Sequence, residues 1–176
     1  DRTGLKAAVD DVATAEAAHG PIAGWDVSRV DDLSYLFSGG DLEQSTCGAG
    51  EWNSPCPFNG DISGWDVSKV TSMRYTFHNA AVFNQLVGGW DVSHVTDMLG
   101  TFCGADVFDS PLSWDTSQVT TMTRTFADAD AFNQPLVWDT SKVTGMYGTF
   151  RNTDAFNQPL AWDTSKVPSM FYTFYS

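Results

Sequence analysis

Residues 138–162 read WDTSKVTGMYGTFRNTDAFNQPLAW, and close variants of this stretch recur along the chain. Trp-Asp-(Val/Thr)-Ser begins at Trp25, Trp65, Trp90, Trp114, Trp138 and Trp162; the last four intervals are 25, 24, 24 and 24 residues, and the first is 40. A fixed period of roughly 20–50 residues marks a stack of like units, because one unit cannot bury its own apolar face while its neighbour can cover it. Counted from each Trp, Val follows at five (Val30, Val70, Val95, Val119, Val143, Val167) and Leu33 or Met at eight (Met73, Met98, Met122, Met146, Met170). Phe follows at twelve (Phe37, Phe77, Phe102, Phe126, Phe150, Phe174) and a small residue at fifteen (Ala80, Ala105, Ala129, Thr153). Steps of three, four and three residues place these positions on one face of a short helix. Leading back to the next Trp, Leu112-Ser-Trp114, Leu136-Val-Trp138 and Leu160-Ala-Trp162 set two large apolar residues two apart, the spacing of one face of a strand. Ser28, Ser68, Ser93, Ser117, Ser141 and Ser165 stand where helix N-caps are expected. The expected fold class is α/β, about six strand–turn–helix units of 24–25 residues.

The pattern Val-Thr-x-Met-x-x-Thr-Phe-x-x-Ala-x-x-Phe-Asn-Gln-Pro-Leu-x-Trp-Asp-Thr-Ser resembles the BspA-like, leucine-rich-repeat-related surface repeats. These are known from mycoplasmas, other bacteria and some unicellular eukaryotes, marine algae especially. The resemblance covers residues 21–176, and the opening Leu5-Lys-Ala-Ala-Val-Asp followed by Gly20-Pro-Ile-Ala-Gly-Trp-Asp-Val-Ser resembles the start of such arrays. It implies a right-handed, leucine-rich-repeat-like solenoid and cell-surface recognition or adhesion, with no family active site to carry over.

The domain expectation is a single unit: an N-terminal capping helix within residues 1–20, then a solenoid over 21–176 with an irregular loop insertion at 38–57. Residues 4–18 are Ala-rich, with Leu5, Ala8, Val9 and Val12 on one stripe. The sixth unit stops partway, so a longer native chain or a partner covering that end is expected, since solenoids need capped ends. The formal net charge is −13, from 22 acidic residues against 9 Lys and Arg, which argues against nucleic acid and anionic membrane as partners. No apolar run approaches the roughly 18 residues of a membrane span, and the N-terminus lacks the pattern of a secretory leader.

Cys47 and Cys56 lie in the irregular segment and are a disulfide candidate that suits an oxidising compartment, leaving Cys103 odd. Trp52, outside the repeat, is a candidate contact for a partner. Asp66, Asp91, Asp115, Asp139 and Asp163, with Asp26 before them, form a file of carboxylates that are weak calcium candidates. They lack a calcium-loop pattern, and turn chemistry accounts for them as well. The Thr file (Thr76, Thr101, Thr125, Thr149, Thr173) sits beside the core Phe rather than on a flat strand face, against an ice-ordering surface. Asn84, Asn133 and Asn157, with Asp109, are expected to satisfy backbone groups at a bend. No nucleophile elbow, phosphate loop, cofactor motif or metal-ligand cluster appears, so no enzyme and no cofactor are expected. The functional expectation is a secreted or cell-surface recognition or adhesion module binding protein or glycan. The alternative is a structural subunit docked among neighbouring subunits of a larger assembly, such as one in or on an algal organelle.

Overall fold

The computed structural model describes residues 2–39 and 55–176. Two short helices open the chain, α1 at Arg2–Asp10 and α2 at Val12–His19, followed by one 3-10 turn at Ile22–Gly24. The single helix expected over residues 4–18 is therefore divided. Asp11 leaves helical geometry at φ −140° and its carboxylate accepts from the Thr14 amide at 3.1 Å, which starts α2. Val9 and Ala15 are buried, and Leu5 and Val12 pack against the core of the repeats.

From Trp25 onward no helix and no extended strand forms among the described residues. The expected α/β solenoid, right-handed and leucine-rich-repeat-like with strand–turn–helix units, is thus overturned. The units do stack, but each is a coil made of turns. Only single parallel bridges join neighbours, running Asp32–Ser72–Asp97–Thr121–Gly145. The reason lies in where the backbone amides go. In the second coil Met73, Tyr75, Phe77 and Asn79 donate to the next coil, at Asp97, Leu99, Thr101 and Cys103 carbonyls, over 2.8–2.9 Å. The residues between them turn inward: Thr76 donates to Met73, His78 to Tyr75 and Ala80 to Phe77. Between Met73 and Ala80, therefore, crossing amides alternate with amides that close tight turns, which pairs the backbone of this stretch without a helix or a sheet. A third residue with positive φ, as a type II turn demands, recurs twice in each of the four inner coils. Tyr75 and Asn79 sit at φ 51° and 53°, Arg124 and Asp128 at 55° and 57°, and Gly100 and Gly104 at 61° and 70°. The three–four–three spacing of Val, Met, Phe and Ala thus comes from successive turns rather than from a helix.

Side chains lock the coils in the opposite sense. The Thr101 hydroxyl lies 3.0 Å from the Met73 carbonyl of the coil before and 2.9 Å from Met98 of its own; Thr125 and Thr149 repeat the arrangement. All three are fully buried, so this file braces the interior and faces no ice or water. The Trp indoles do similar work: Trp65, Trp90 and Trp114 donate Nε1–H to the Ile22, Ile62 and Val87 carbonyls one coil back. Two files of phenylalanine rings fill the centre. Phe37, Phe77, Phe102, Phe126, Phe150 and Phe174 stack at 5.3–5.7 Å, and each of the first five also meets a second-file ring at 4.0–4.1 Å. At about 3–5 kcal/mol for deleting one buried Phe, these files outweigh any single hydrogen bond in the coil.

The second file begins at Phe58, a residue the repeat pattern did not single out because the first interval is long. Phe58 stacks on Phe37 at 4.0 Å and on Phe83 at 6.0 Å. Gly39 donates to His78 O and Cys56 to Asn79 O, so the first coil runs to Gly39 and resumes by Pro55, inside the expected limits of 38 and 57.

At the last coil the front half of the pairing lapses. Thr120 and Thr144 donate to the carbonyls of Thr96 and Thr120, but the equivalent residue 168 is Pro, which has no N–H. Met170 is 43% exposed, whereas Met73, Met98, Met122 and Met146 are fully buried.

A Cβ built at Gly100, φ +61°, would lie 2.3 Å from the Tyr75 ring, whereas at Gly148, φ +59°, the nearest atom would be 3.6 Å away. Gly148→Ala is expected to cost about 1 kcal/mol, the left-handed penalty alone. Gly100→Ala is expected to cost about 2–3 kcal/mol, since Tyr75 must also leave its stack on Tyr35. Denaturant titration of the two variants checks the order, and equal losses would refute the crowding at Gly100.

Candidate functional site

The residues that carry chemistry fall on separate edges of the stack. Along one edge runs the Asp of each Trp-Asp-(Val/Thr)-Ser. Asp26, Asp66 and Asp91 accept from both the amide (3.1 Å) and the hydroxyl (2.6–2.7 Å) of the serine two residues on. Asp115, Asp139 and Asp163 accept the Ser117, Ser141 and Ser165 amides at 2.9–3.0 Å. The serines expected as helix N-caps are therefore donors to an Asx turn, because no helix follows for them to cap. The carboxylates are exposed, and the serine hydrogen bonds hold them below their ordinary 3.8. Among the described residues no three His, Cys, Asp or Glu side chains converge as a metal site, the calcium candidates Asp66, Asp91, Asp115, Asp139 and Asp163 included.

A second edge carries the Asn file. Asn59 Oδ1 accepts the Asn84 amide at 3.0 Å, Asn84 that of Asp109, Asp109 that of Asn133, and Asn133 that of Asn157 at 2.9 Å. These side chains do satisfy backbone groups, each one a coil ahead. Gln85, Gln134 and Gln158 add their amides to the same acceptors.

The third edge was not apparent from the repeating residues, because it is made of the residues that do not repeat. Nine positions after each Trp stand Ser34, Arg74, Leu99, Thr123, Tyr147 and Phe171; ten after stand Tyr35, Tyr75, Gly100, Arg124, Gly148 and Tyr172. Thirteen after stand Ser38, His78, Cys103, Ala127, Arg151 and Tyr175. All five tyrosines of the chain fall in these three files, together with three of its arginines. The signal was available in the sequence: collecting the variable positions by their distance from Trp gathers every Tyr. Tyr35 stacks on Tyr75 at 5.3 Å, Arg74 pairs with Asp97 at 3.1 Å, and the Arg124 guanidinium lies 5.7 Å from the Tyr147 ring. Arg151 pairs with Asp128 at 3.0 Å, and Asn152 donates to the same carboxylate at 2.7 Å. Tyr35, Tyr75, Arg124 and Tyr172 all hold positive φ where Gly100 and Gly148 show that glycine fits.

Cys103 lies in this strip, and burial pushes its thiol up to about 11, which keeps it protonated and unreactive. His78 is held below its ordinary value by burial, with its Nδ1 3.2 Å from the Gly39 carbonyl. Cys56 is fully buried. Cys47 and Trp52 lie outside the described residues, and so do the expected Cys47–Cys56 pairing and the expected partner contact. No helix of the described residues is long and apolar enough to cross a membrane.

The geometry is that of a repeat protein with a uniform interior and one variable lateral strip. The family model described as a mycoplasma protein of unknown function matches residues 12–113, 53–136 and 85–176, and the chain belongs to that family. No curated protein and no solved structure matches it.

Two outcomes follow from the titratable groups. Asp26, Asp61, Asp66, Asp91, Asp115, Asp139 and Asp163 have folded values lowered from 3.8, so their stabilisation is complete above that value and is lost as pH falls through the lowered ones. Asp10 and Asp106, raised by burial, act in the opposite sense but are fewer. Tm is expected to hold from neutrality to about pH 4 and to drop below it; a Tm that rose on further acidification would contradict this balance. For the cysteines, Cys103 is expected to resist iodoacetamide in the native protein at pH 8. After unfolding without reductant, mass spectrometry should find one label if Cys47 and Cys56 are paired, and three labels would refute that pairing.

Proposed function

We propose that this chain is a non-enzymatic recognition or adhesion module of a secreted or cell-surface repeat protein, contacting protein or glycan through its lateral strip. One observation carries the reading. The interior files repeat coil after coil, while Tyr and Arg gather in files that the stack itself fills equally well with Leu99, Thr123, Gly100, Gly148 or Ala127. Tyr and Arg are enriched at the energetic centres of interfaces, Tyr because it brings a large rigid contact area for two rotatable bonds and Arg because its planar fork presents five donors. Four of them sit at positive φ, a placement that costs about 1–2 kcal/mol each. The resemblance to BspA-like surface repeats supports the same reading, and the charge of −13 would favour approach to a partner with a basic rim.

A second reading, a structural subunit of a larger assembly, draws on apolar side chains left exposed on the inner coils. Leu86 and Val137 are 65% and 96% exposed. A monodisperse monomer in sedimentation, indifferent to concentration, would dispose of it.

The strip can be erased with residues the coils already use there. The triple variant Tyr75→Gly, Arg124→Gly, Tyr147→Thr should keep Tm within about 5 °C, because relief of left-handed strain offsets the lost ring and guanidinium contacts. Beads coated with the wild-type chain are expected to adhere to intact cells and extracellular matrix, and beads coated with the variant to wash off. Equal adhesion of the two, or none by either, would overturn the proposal.

A further inference from the structure

Each indole from Trp65 onward lies against a phenylalanine of the preceding coil: Trp65 against Phe37, Trp90 against Phe77 and Trp114 against Phe102, at 5.7–6.1 Å. Later indoles also stack on one another, Trp114 on Trp138 at 6.0 Å. Trp25 begins the series, and the described residues before it form α1, α2 and the 3-10 turn rather than a coil. Among the described residues it makes no ring contact; α1 lies over it instead, and its Nε1–H is held by the Gly20 carbonyl at 2.8 Å. A helix does not fill the place of a flat ring. Between α1 and the first coil remains a concavity of about 350 Å³, lined by the apolar Leu5, Ala8, Trp25 and Val30 together with the polar His19 and Asp26. A Cβ built on Gly24, which also lines it, would meet nothing within 4 Å, so the backbone there opens directly onto the space.

We propose that this concavity is a binding site for one neutral pyranose ring, such as the terminal sugar of a glycan. The site differs from the lateral strip and does not depend on it. The argument is one of matching surfaces. A pyranose has a face of C–H groups and an edge of vicinal hydroxyls, and the concavity offers an indole with aliphatic walls beside an imidazole and a carboxylate. Asp26 uses Oδ1 for the Ser28 amide and hydroxyl, at 3.1 and 2.7 Å, which fixes its orientation and leaves Oδ2 as an acceptor. A benzene-like side chain in the same place would press hydrocarbon against that carboxylate with nothing to replace its water, whereas sugar hydroxyls replace the water in kind. The volume falls at the lower end of small-ligand sites and suits a single ring. An anionic sugar is disfavoured by Asp26 itself and by a net charge of −13.

The test uses the full chain and a panel of methyl glycosides of glucose, galactose, mannose and N-acetylglucosamine, read by saturation-transfer NMR and indole fluorescence. Binding of at least one, with Kd on the order of 1 mM or tighter, is expected. Ala8→Trp should supply the missing ring, abolish that binding and raise Tm. Asp26→Asn keeps the acceptor for Ser28 and should weaken binding about tenfold, which leaves a readout if Ala8→Trp fails to fold. Binding by none of the glycosides, binding that survives in both variants, or preferential binding of N-acetyltryptophanamide would each overturn the proposal. The strip variant should keep full sugar binding, so loss of bead adhesion and loss of sugar binding report on different sites.

Discussion

The structure depends on how its backbone amides are shared between neighbours and local turns. Along one stretch of each inner coil, alternate N–H groups reach the next coil while the intervening ones fold back on carbonyls three residues earlier. This pattern pairs that stretch without a helix or a sheet, and it sorts the side chains. Of the four consecutive crossing donors, Met73 and Phe77 point into the core, while Tyr75 and Asn79 between and after them hold positive φ and lie toward the surface. One of the three variable files, that of Tyr35, Tyr75, Gly100, Arg124, Gly148 and Tyr172, is left-handed throughout, which explains why glycine alternates there with Tyr and Arg.

Much of the stack was legible in the sequence: its period, the Val, Met, Phe and Trp files of the core, and the turn role of Asp and the backbone-satisfying role of Asn. Secondary structure was not, for a definite reason. Steps of three and four residues bring side chains to one face both in a helix and in a run of tight turns, and periodicity does not separate the two. What separates them is the file fourteen positions after Trp: Asn79, Gly104, Asp128 and Asn152 are all residues that tolerate left-handed geometry, and a helix interior would not choose them in succession. Gly100 and Gly148 in a neighbouring file say the same. Phe58 was hidden by the long first interval, since its ring partners are recognisable only once Phe37 and Phe83 are seen to flank it.

The candidate sites divide along similar lines. Asp, Asn, Thr and Trp repeat because they brace the coil. The lateral strip becomes visible only when positions are compared for their differences. The concavity at Trp25 could not be read from sequence at all, because it arises from an absence among the described residues: a ring that each indole from Trp65 onward has beside it and Trp25 does not. That absence needed the placement of α1 to give it walls.

The first coil carries one further implication. Phe37 and Phe58 occupy the places of Phe77 and Phe83, so Gly39 corresponds to Asn79 and Pro55 to Ala80, which are consecutive residues. Fifteen residues, 40–54, have entered between two adjacent positions, and the rings on either side keep their stacking. A coil of this kind is thus a frame with a built-in graft point. The same junction exists at Gly104–Ala105, Asp128–Ala129 and Asn152–Thr153, beside the Tyr and Arg strip. A lineage of such proteins can diversify by splicing loops onto a constant core, much as a display scaffold does, while the spacing of its rings stays unaltered.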